Sequence, residues 1–188
     1  PFVPKECHAR LVIFPFVAFA GDEASATRAI APLRALAAPL ADMVNPGPYV
    51  RMYPPEDPRL RPTIVARTMF MNAIDVSAGE TIIGYLSTSD AAMRVAQIRV
   101  LGGAIARVPA DATAYAHRTK PVLVNVAAFH QGEADREARA AWVTAFARAL
   151  RPDDDAAYVG FLGDDGPSRI RPAYPDVTWD RLRGIKSV

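Results

Sequence analysis

Two residues carry polar chemistry in otherwise apolar stretches of the chain. Asn125 lies inside the run "VLVNVAAF" (Val122–Phe129), and Tyr158 opens the stretch "YVGFLGDDG". A buried amide without a partner costs about 1–3 kcal/mol, so Asn125 must be hydrogen bonded, point outward or line a polar pocket. A tyrosine has a reference pKa of about 10 and is a poor base unless its phenolate is stabilised. On residue type alone, packing with a bonded polar atom is the ordinary role of each.

Metal and disulfide chemistry have little support in this sequence. The single cysteine, Cys7, excludes an internal disulfide and a Cys-rich metal site, and its neighbour His8 does not complete the ligand set of a structural zinc. The other histidines, His117 and His130, are too scattered to predict a metal centre. The "GDDG" stretch lacks the alternating ligands and distal Glu of a calcium loop and is typical of a solvated turn. No metal is therefore expected.

Composition places the chain among globular domains. It has 188 residues, 51% hydrophobic and 22% charged, with a formal net charge of +2. This balance does not favour binding to nucleic acid or to a membrane surface. The longest apolar run, Leu11–Ala20, is too short to span a bilayer and contains Pro15. Because the chain begins without Met or a signal-peptide pattern, it is expected to be a piece of a longer protein.

Hydrophobic periodicity and turn residues predict alternating strands and helices. Extended segments are predicted at Leu11–Ala20, Tyr49–Tyr53, Thr63–Ala73, Met93–Leu101, Ala104–Val108, Val122–Phe129 and Ala157–Leu162. Helices are predicted from Asp22 or Ser25 to about Ala38, at Ser77–Ser87, at Glu133–Leu150, at Ser168–Tyr174 and at Trp179–Val188, with a loop at Pro54–Pro58. This order predicts an α+β fold in which one antiparallel sheet carries helices mainly on one face, leaving the other free to cover something.

The strand Met93–Leu101 has the clearer alternation among the predicted strands. Its apolar positions are Val95, Ile98 and Val100, and Arg94 and Arg99 are expected to point outward. The Gly-Gly pair that follows predicts a hairpin or a bulge that leads into the strand Ala104–Val108.

An ordered series of motifs resembles one enzyme family. The series comprises "ATRAIAPLRALAAPLADMVNPGPYVRMY" (Ala26–Tyr53), "LGGAIARVPADATAYAHR" (Leu101–Arg118), the Asn125 strand, the Glu133–Leu150 helix, "AAYVGFLGDDGPSRIRPAY" (Ala156–Tyr174) and "WDRLRGIKSV" (Trp179–Val188). It is similar to the substrate domain of the berberine-bridge-enzyme-like FAD-linked oxidases, in the vanillyl-alcohol-oxidase superfamily.

The resemblance implies a substrate-binding domain over residues 1–188 and an FAD-binding domain outside this chain. Members of the family hold FAD in that second domain, and the substrate domain roofs the flavin ring. The flavin accepts hydride from a small-molecule substrate, commonly an alcohol, sugar or natural product. The resemblance therefore implies two partners, an FAD-binding domain and a small molecule, and implies that this chain alone is inactive.

The family's site residues carry over position by position. Tyr158 matches a tyrosine that helps to deprotonate the substrate hydroxyl, and Asn125 matches a polar or acidic residue that faces the flavin. His117 and Arg118 match a His-Arg pair with an expected structural role. The family's Asn two residues after the tyrosine is Gly160 here. Glycine has no side chain to make the hydrogen bonds of that Asn, and the match places Gly160 in the expected substrate site.

Two other interpretations remain open at this stage. The alternative to the oxidoreductase domain is a non-catalytic α+β module whose open sheet face pairs with a partner or with a second copy in a homodimer. It is also compatible with a self-contained ferredoxin-like enzyme in which Tyr158 and His130 share one pocket.

Overall fold

The structure is a computed structural model that describes residues 5–8, 10–53, 63–150, 152, 155–163 and 166–187. The predicted loop Pro54–Pro58 lies outside the described residues. The chain divides into two compact units, Pro1–Leu60 and Arg61–Val188.

The first unit contains one α-helix within its described part, α1 (Glu23–Arg34), which follows a 3-10 turn at Lys5–Cys7. The carboxylate of Asp22 accepts a hydrogen bond from the backbone N–H of Ser25 at 2.8 Å and caps the helix, which confirms one of the two predicted start positions. The helix ends at Arg34, short of the predicted Ala38. It continues past Pro32, since the Ala35 N–H still bonds to the Ala31 carbonyl at 3.0 Å.

Two predicted extended segments of this unit are wrong. Leu11–Ala20 has no regular structure, and Tyr49–Met52 forms a 3-10 turn in which the hydroxyls of Tyr49 and Tyr53 lie 2.9 Å apart. A β-rich stretch becomes a strand only when a neighbouring strand satisfies its backbone groups. Neither segment pairs with a strand in the described part of the chain.

The second unit is built on an antiparallel sheet of three described strands, β1 (Ile64–Met71), β2 (Arg94–Val100) and β3 (Val122–Phe129). Their order is β1-β3-β2, so β3 is central. Helices α2 (Val76–Thr88) and α4 (Gly132–Ala149) pack against one face of this sheet. This arrangement confirms the predicted α+β fold, in which an antiparallel sheet carries helices mainly on one face.

Strand β3 is buried along almost its whole length, which explains why its sequence reads as a continuous apolar run. Its even-numbered residues from Val122 to Ala128 face the helices and join a core that contains Val143 and Phe146 of α4. Phe146 is fully buried and stacks on Tyr85 of α2 at a centroid distance of 4.7 Å. The helix-covered face therefore holds the main core.

The prediction that Arg94 and Arg99 both point outward from β2 is wrong for Arg94. Arg94 and Arg99 are an odd number of positions apart, so they lie on opposite faces of the sheet. Arg94 lies on the helix side, where its Nε donates to the carbonyl of Leu86 at 2.8 Å and its Nη1 to that of Ala91 at 3.0 Å. On the same side, Val100 stays 86% exposed, so apolar character alone did not identify the buried face.

Two further predicted strands are not formed. Ala104–Arg107 is a helical turn, α3, which follows Gly102 and Gly103 at φ values of 125° and 52°. These left-handed conformations suit glycine and end β2 without a hairpin. The stretch predicted as Ala157–Leu162 is irregular and contains a 3-10 turn at Val159–Phe161, because the Phe161 N–H bonds back to the Tyr158 carbonyl at 3.0 Å.

The chain closes with helical segments where the sequence predicted them. These are α5 (Pro167–Ile170), a 3-10 turn at Arg171–Ala173 and α6 (Asp176–Lys186). None of the described helices has the length and apolarity needed to cross a membrane.

A charged cluster fixes the start of α4. The Asp135 carboxylate accepts hydrogen bonds from the Gln131 N–H at 2.9 Å and from Arg139 Nε at 2.8 Å, and Arg139 Nη1 also contacts Asp90. The backbone bond from Gln131 lowers the pKa of Asp135 most, and Arg139 adds to it. The ionised form of Asp135 is therefore stabilised by folding.

Replacing Phe146 with alanine should remove the largest side chain of the helix-covered core. We expect the free energy of unfolding to fall by about 3–5 kcal/mol, measured by denaturant titration. The control is Arg148→Ala on the exposed side of the same helix, which should change stability by at most about 0.5 kcal/mol. Similar losses in both variants would contradict the placement of the core.

Asp135→Asn should lower the melting temperature at neutral pH, because the Asp135 pKa is depressed in the folded state. Such a group stabilises the fold above its unfolded pKa of about 3.9, and this contribution is lost as the pH falls through the folded value. The gap between wild type and variant should therefore narrow below about pH 4. Glu137→Gln, exposed on the same helix, is the matched control. A gap that is constant from pH 7 to 3 would show that the charge is not responsible.

Candidate functional site

A row of polar side chains crosses the sheet on the face away from the helices. The strand register places Thr68 of β1, Asn125 of β3 and Gln97 of β2 level with one another. Asn125 Nδ2 donates to Gln97 Oε1 at 3.3 Å. Residues that are level with one another on neighbouring strands point to the same face of a sheet, so these three side chains lie on one face. The buried central strand therefore carries its one amide toward the helix-free face.

Two atoms of this row have no hydrogen-bond partner in the described part of the chain. They are Thr68 Oγ1 and Asn125 Oδ1, and their residues are only 2% and 7% exposed. An unsatisfied buried polar atom costs about 1–3 kcal/mol. Native proteins tolerate few such atoms, and functional sites are one place where they occur. The row thus offers polar atoms that the described chain itself does not satisfy.

Arg99 extends the polar row toward the C-terminal segment. It lies on the same face as Gln97, two positions along β2, and its guanidinium stacks over the Phe161 ring at 4.6 Å from the centroid. Phe161 in turn meets the Tyr158 ring edge-on at 5.5 Å. Tyr158 and Asn125 make no direct hydrogen bond with each other among the described residues. Arg99 contacts Phe161, and Phe161 contacts Tyr158, so the C-terminal segment meets β2 beside the polar row.

The Tyr158 ring has a defined position. It meets the Tyr115 ring edge-on at 5.8 Å and folds back over Gly160. A Cβ added at Gly160 would lie 2.9 Å from a Tyr158 ring carbon and 3.1 Å from the hydroxyl oxygen. Real Cβ atoms do not approach so closely, so a side chain at this position would displace the ring. Gly160 therefore allows the Tyr158 side chain to lie where it does.

Tyr115 forms the other wall beside Tyr158. Burial raises its pKa above the usual value, Arg118 opposes this shift and Tyr158 adds to it. Arg118 holds the Tyr115 ring by stacking at 4.9 Å and donates from Nε to the Tyr115 carbonyl at 3.0 Å. Tyr115 is thus kept as a neutral phenol at ordinary pH.

His117 is buried and makes packing contacts, which agree with the structural role expected of the His-Arg pair. It is 7% exposed, lies against Phe70 at a ring distance of 4.8 Å, and its Nε2 is 3.2 Å from the Ala173 carbonyl oxygen. These contacts attach the segment after β2 and the C-terminal turn to the same face of the sheet as Asn125. A buried, bonded histidine of this kind supports packing.

Arg169 anchors the C-terminal helices to the free edge of β1. Its Nη2 donates to the Thr68 carbonyl at 3.1 Å and its Nη1 to the Asp155 carbonyl at 3.5 Å, while its Nε is buried without a partner among the described residues. The Arg169 side chain therefore adds a donor beside the polar row.

The sequence alone did not identify Thr68, Gln97, Arg99 or Arg169 as site residues. The signal for the β2 residues was present, because a strict two-residue period puts Val95, Gln97 and Arg99 on one face. No local signal could have aligned Thr68 with Asn125, since that depends on strand register.

The structure separates His130 from the Tyr158 cluster. His130 directly follows β3. Arg99 is level with Leu123, near the other end of that strand, so about 20 Å of strand separates His130 from Leu123. Cys7 is buried and His8 is exposed. Within the described ranges, His, Cys, Asp and Glu residues form no group of three that could hold a metal ion. The self-contained enzyme with His130 and Tyr158 in one pocket is therefore disfavoured.

Comparison with known proteins identifies the fold. No protein-family model matches the chain, and no curated protein matches it. The structure of wild-type Physcomitrella patens BBE-like 1 matches with a TM-score of 0.66 at 18% identity, over 89% of this chain and 40% of that one. A single-residue variant of the same protein matches with a TM-score of 0.67 at 17% identity, over the same shares of the two chains.

The match concerns part of a larger protein and, at this identity, the fold alone. The chain spans about two fifths of the length of the BBE-like 1 protein. This likeness of fold agrees with the family that the resemblance of the sequence predicted. The chain therefore has the fold of a berberine-bridge-enzyme-like domain.

Proposed function

We propose that this chain is the substrate-binding domain of an FAD-dependent oxidoreductase that oxidises an alcohol, sugar or natural-product substrate. The polar row of Thr68, Asn125 and Gln97 is the observation that carries this proposal. Its unpartnered atoms lie on the helix-free face of a berberine-bridge-enzyme-like fold. In the proposal, flavin and substrate cover this face and supply the missing hydrogen-bond partners.

The residues of this face suit such an occupant. A flavin ring and a hydroxylated substrate both present hydrogen-bonding groups beside flat, apolar surface. Asn125 Oδ1 is an acceptor and Thr68 Oγ1 can donate or accept. The rings of Tyr158, Tyr115 and Phe161 supply the flat surface beside them. FAD, when bound, would take a hydride from the substrate and so supply the redox chemistry.

Asn125 orients the substrate in this proposal. Its Nδ2 is occupied by Gln97, which leaves Oδ1 as the end of the amide that can accept a hydrogen bond from a substrate hydroxyl. An amide cannot take up the hydroxyl proton as a base at ordinary pH. Asn125 therefore contributes binding and orientation, and the proton must go elsewhere.

Tyr158 is the proposed acceptor of that proton. Its hydroxyl lies beside Gly160, and its ring is held between Tyr115 and Phe161. Gly160 is part of the substrate site because it leaves room for this ring. Arg99, which stacks on Phe161, brings positive charge toward the cluster.

The proposal requires two partners. They are an FAD-binding domain, which supplies the other wall of the site, and the small-molecule substrate. All the groups assigned above lie on the helix-free face of the second unit and in the turns beside it. This chain by itself is proposed to be inactive, because it provides groups for substrate and proton but no assigned site for the rest of the flavin.

A second candidate is a non-catalytic binding or assembly module, including one that forms a homodimer. It is favoured by the apolar segment Leu11–Ala20, in which Ile13 is 95% exposed and Phe16 is 69% exposed. Contiguous patches of exposed apolar residues mark interaction surfaces in many proteins. Flavin absorbance and substrate-dependent bleaching of a protein that contains this chain would favour the oxidoreductase over the module.

Removing the unpartnered polar atoms should stabilise the protein while impairing its function. Thr68→Val and Asn125→Leu replace the unsatisfied atoms with apolar ones of similar size, and Asn125→Leu also removes the hydrogen bond to the exposed Gln97. We expect the free energy of unfolding to stay level or rise by about 1 kcal/mol, and substrate oxidation to fall at least tenfold.

The matched control for this experiment is Thr63→Val. Thr63 Oγ1 donates to the His130 carbonyl at 2.7 Å, so its loss should lower stability and leave the oxidation rate unchanged. If Thr68→Val and Asn125→Leu lower stability as Thr63→Val does and leave oxidation intact, the polar row is structural.

Tyr158→Phe should reduce the rate of flavin reduction by about 10²–10⁴-fold, the scale expected when a general base is lost. The measurement is anaerobic stopped-flow absorbance on a protein that contains this chain and FAD. Gly160→Ala, which keeps the hydroxyl but pushes the ring aside, should reduce the rate as well. An unchanged reductive rate in Tyr158→Phe would refute the role of Tyr158 as the base.

A further inference from the structure

Arg99 is the least compensated charge near the polar row. Within the part of the chain that the structure describes, its guanidinium makes no ion pair and its Nη1 is buried without a hydrogen-bond acceptor. Stacking on Phe161 at 4.6 Å attracts the cation but supplies no acceptor for its N–H groups. A partly buried cation without a counter-charge is costly, and an anionic group beside it would offset that cost.

The surroundings of Arg99 indicate what that anion carries. Arg99 is level with Leu123, so Asn125 is its diagonal neighbour on the adjacent strand β3. Such diagonal neighbours are about 7–8 Å apart. Asn125 Oδ1 is a buried acceptor without a partner, and its residue is 7% exposed. A donor on the ligand would satisfy this oxygen, and an anionic group on the same small ligand would satisfy Arg99.

We propose that Arg99 binds the carboxylate of the substrate and that the substrate is a hydroxy acid whose hydroxyl donates to Asn125 Oδ1. A guanidinium recognises a carboxylate by parallel hydrogen bonds from its planar fork. Arg99 is only half-buried, so a ligand can reach the guanidinium from outside the sheet. The rings of Phe161 and Tyr158 lie next to it and contact the apolar part of the ligand. This inference rests on the proposed function and names the substrate class of the same site.

Arg94 and Arg169 do not take this role. Arg94 lies on the opposite face of β2, and its guanidinium is bonded to the carbonyls of Leu86 and Ala91. Arg169 is bonded to the carbonyls of Thr68 and Asp155 at the edge of β1. Arg99 differs from both because no backbone carbonyl occupies its N–H groups in the described part of the chain.

A binding experiment on the purified chain tests this without flavin. The probes are mandelate and 1-phenylethane-1,2-diol, which share a ring and a hydroxyl and differ in whether they carry the carboxylate. Both are titrated while the side-chain amide resonances of Asn125 and Gln97 are followed by NMR. Mandelate should shift these resonances and bind at least tenfold more tightly than the diol.

The variants Arg99→Met and Arg148→Met identify the charge responsible. Arg99→Met should weaken mandelate binding by about tenfold to a hundredfold and leave diol binding unchanged. Arg148 is exposed on α4, so Arg148→Met should alter neither. Arg99→Lys should give intermediate affinity, because lysine keeps the charge but loses the fork. It also provides the test if Arg99→Met does not fold.

The outcomes separate this inference from the proposed function. Equal affinity for both probes, no shift of the Asn125 amide, or an Arg99→Met variant that binds mandelate as well as wild type overturns the role of Arg99. In each of those cases substrate-dependent bleaching of flavin would still support the oxidoreductase. Charge-selective binding that depends on Arg99, in a protein that never acquires flavin, supports the anion site and contradicts the oxidoreductase.

Discussion

Burial of the central strand β3 on both faces is the constraint on which the second unit depends. Its even-numbered side chains meet α4 and the core around Phe146, and its odd-numbered side chains point to the helix-free face. A strand enclosed in this way cannot offer a polar side chain to bulk water. Asn125 therefore has to find partners on the neighbouring strands or in a ligand. Gln97 satisfies one end of the amide and leaves the other open.

The two halves of the candidate site differ in how they are held. Thr68, Asn125 and Gln97 lie on regular strands whose register fixes their alignment. Tyr158 and Gly160 lie in an irregular segment, which aromatic contacts and the anchors of His117 and Arg169 attach to the sheet. Rigid strands that position groups beside adaptable turns are a common arrangement in binding sites. Arg99 joins the halves, because it rises from a strand and stacks on the turn.

The sequence predicted the elements that have strong local patterns. Strand β3 was predicted with its observed bounds, and α4 to within one residue at each end, because an apolar run and a long helical period are legible without tertiary contacts. The predicted strands Leu11–Ala20 and Ala157–Leu162 did not form, since a strand also needs an edge to pair with. Asn125 and Tyr158 were named from the sequence, whereas the alignment of Thr68 and Gln97 with Asn125 and the stacking of Arg99 on Phe161 were not.

The sequence by itself determined which stretches are apolar, where glycine and proline interrupt them, and that one amide sits in the middle of a buried strand. Those properties reside in individual residues and their immediate neighbours. Only the tertiary structure decided that Gln97 lies opposite Asn125, that Thr68 completes the row, and that Arg99 stacks on Phe161. These pairings join residues far apart in the chain, and they depend on strand register, where a slip of one residue would turn every side chain to the other face.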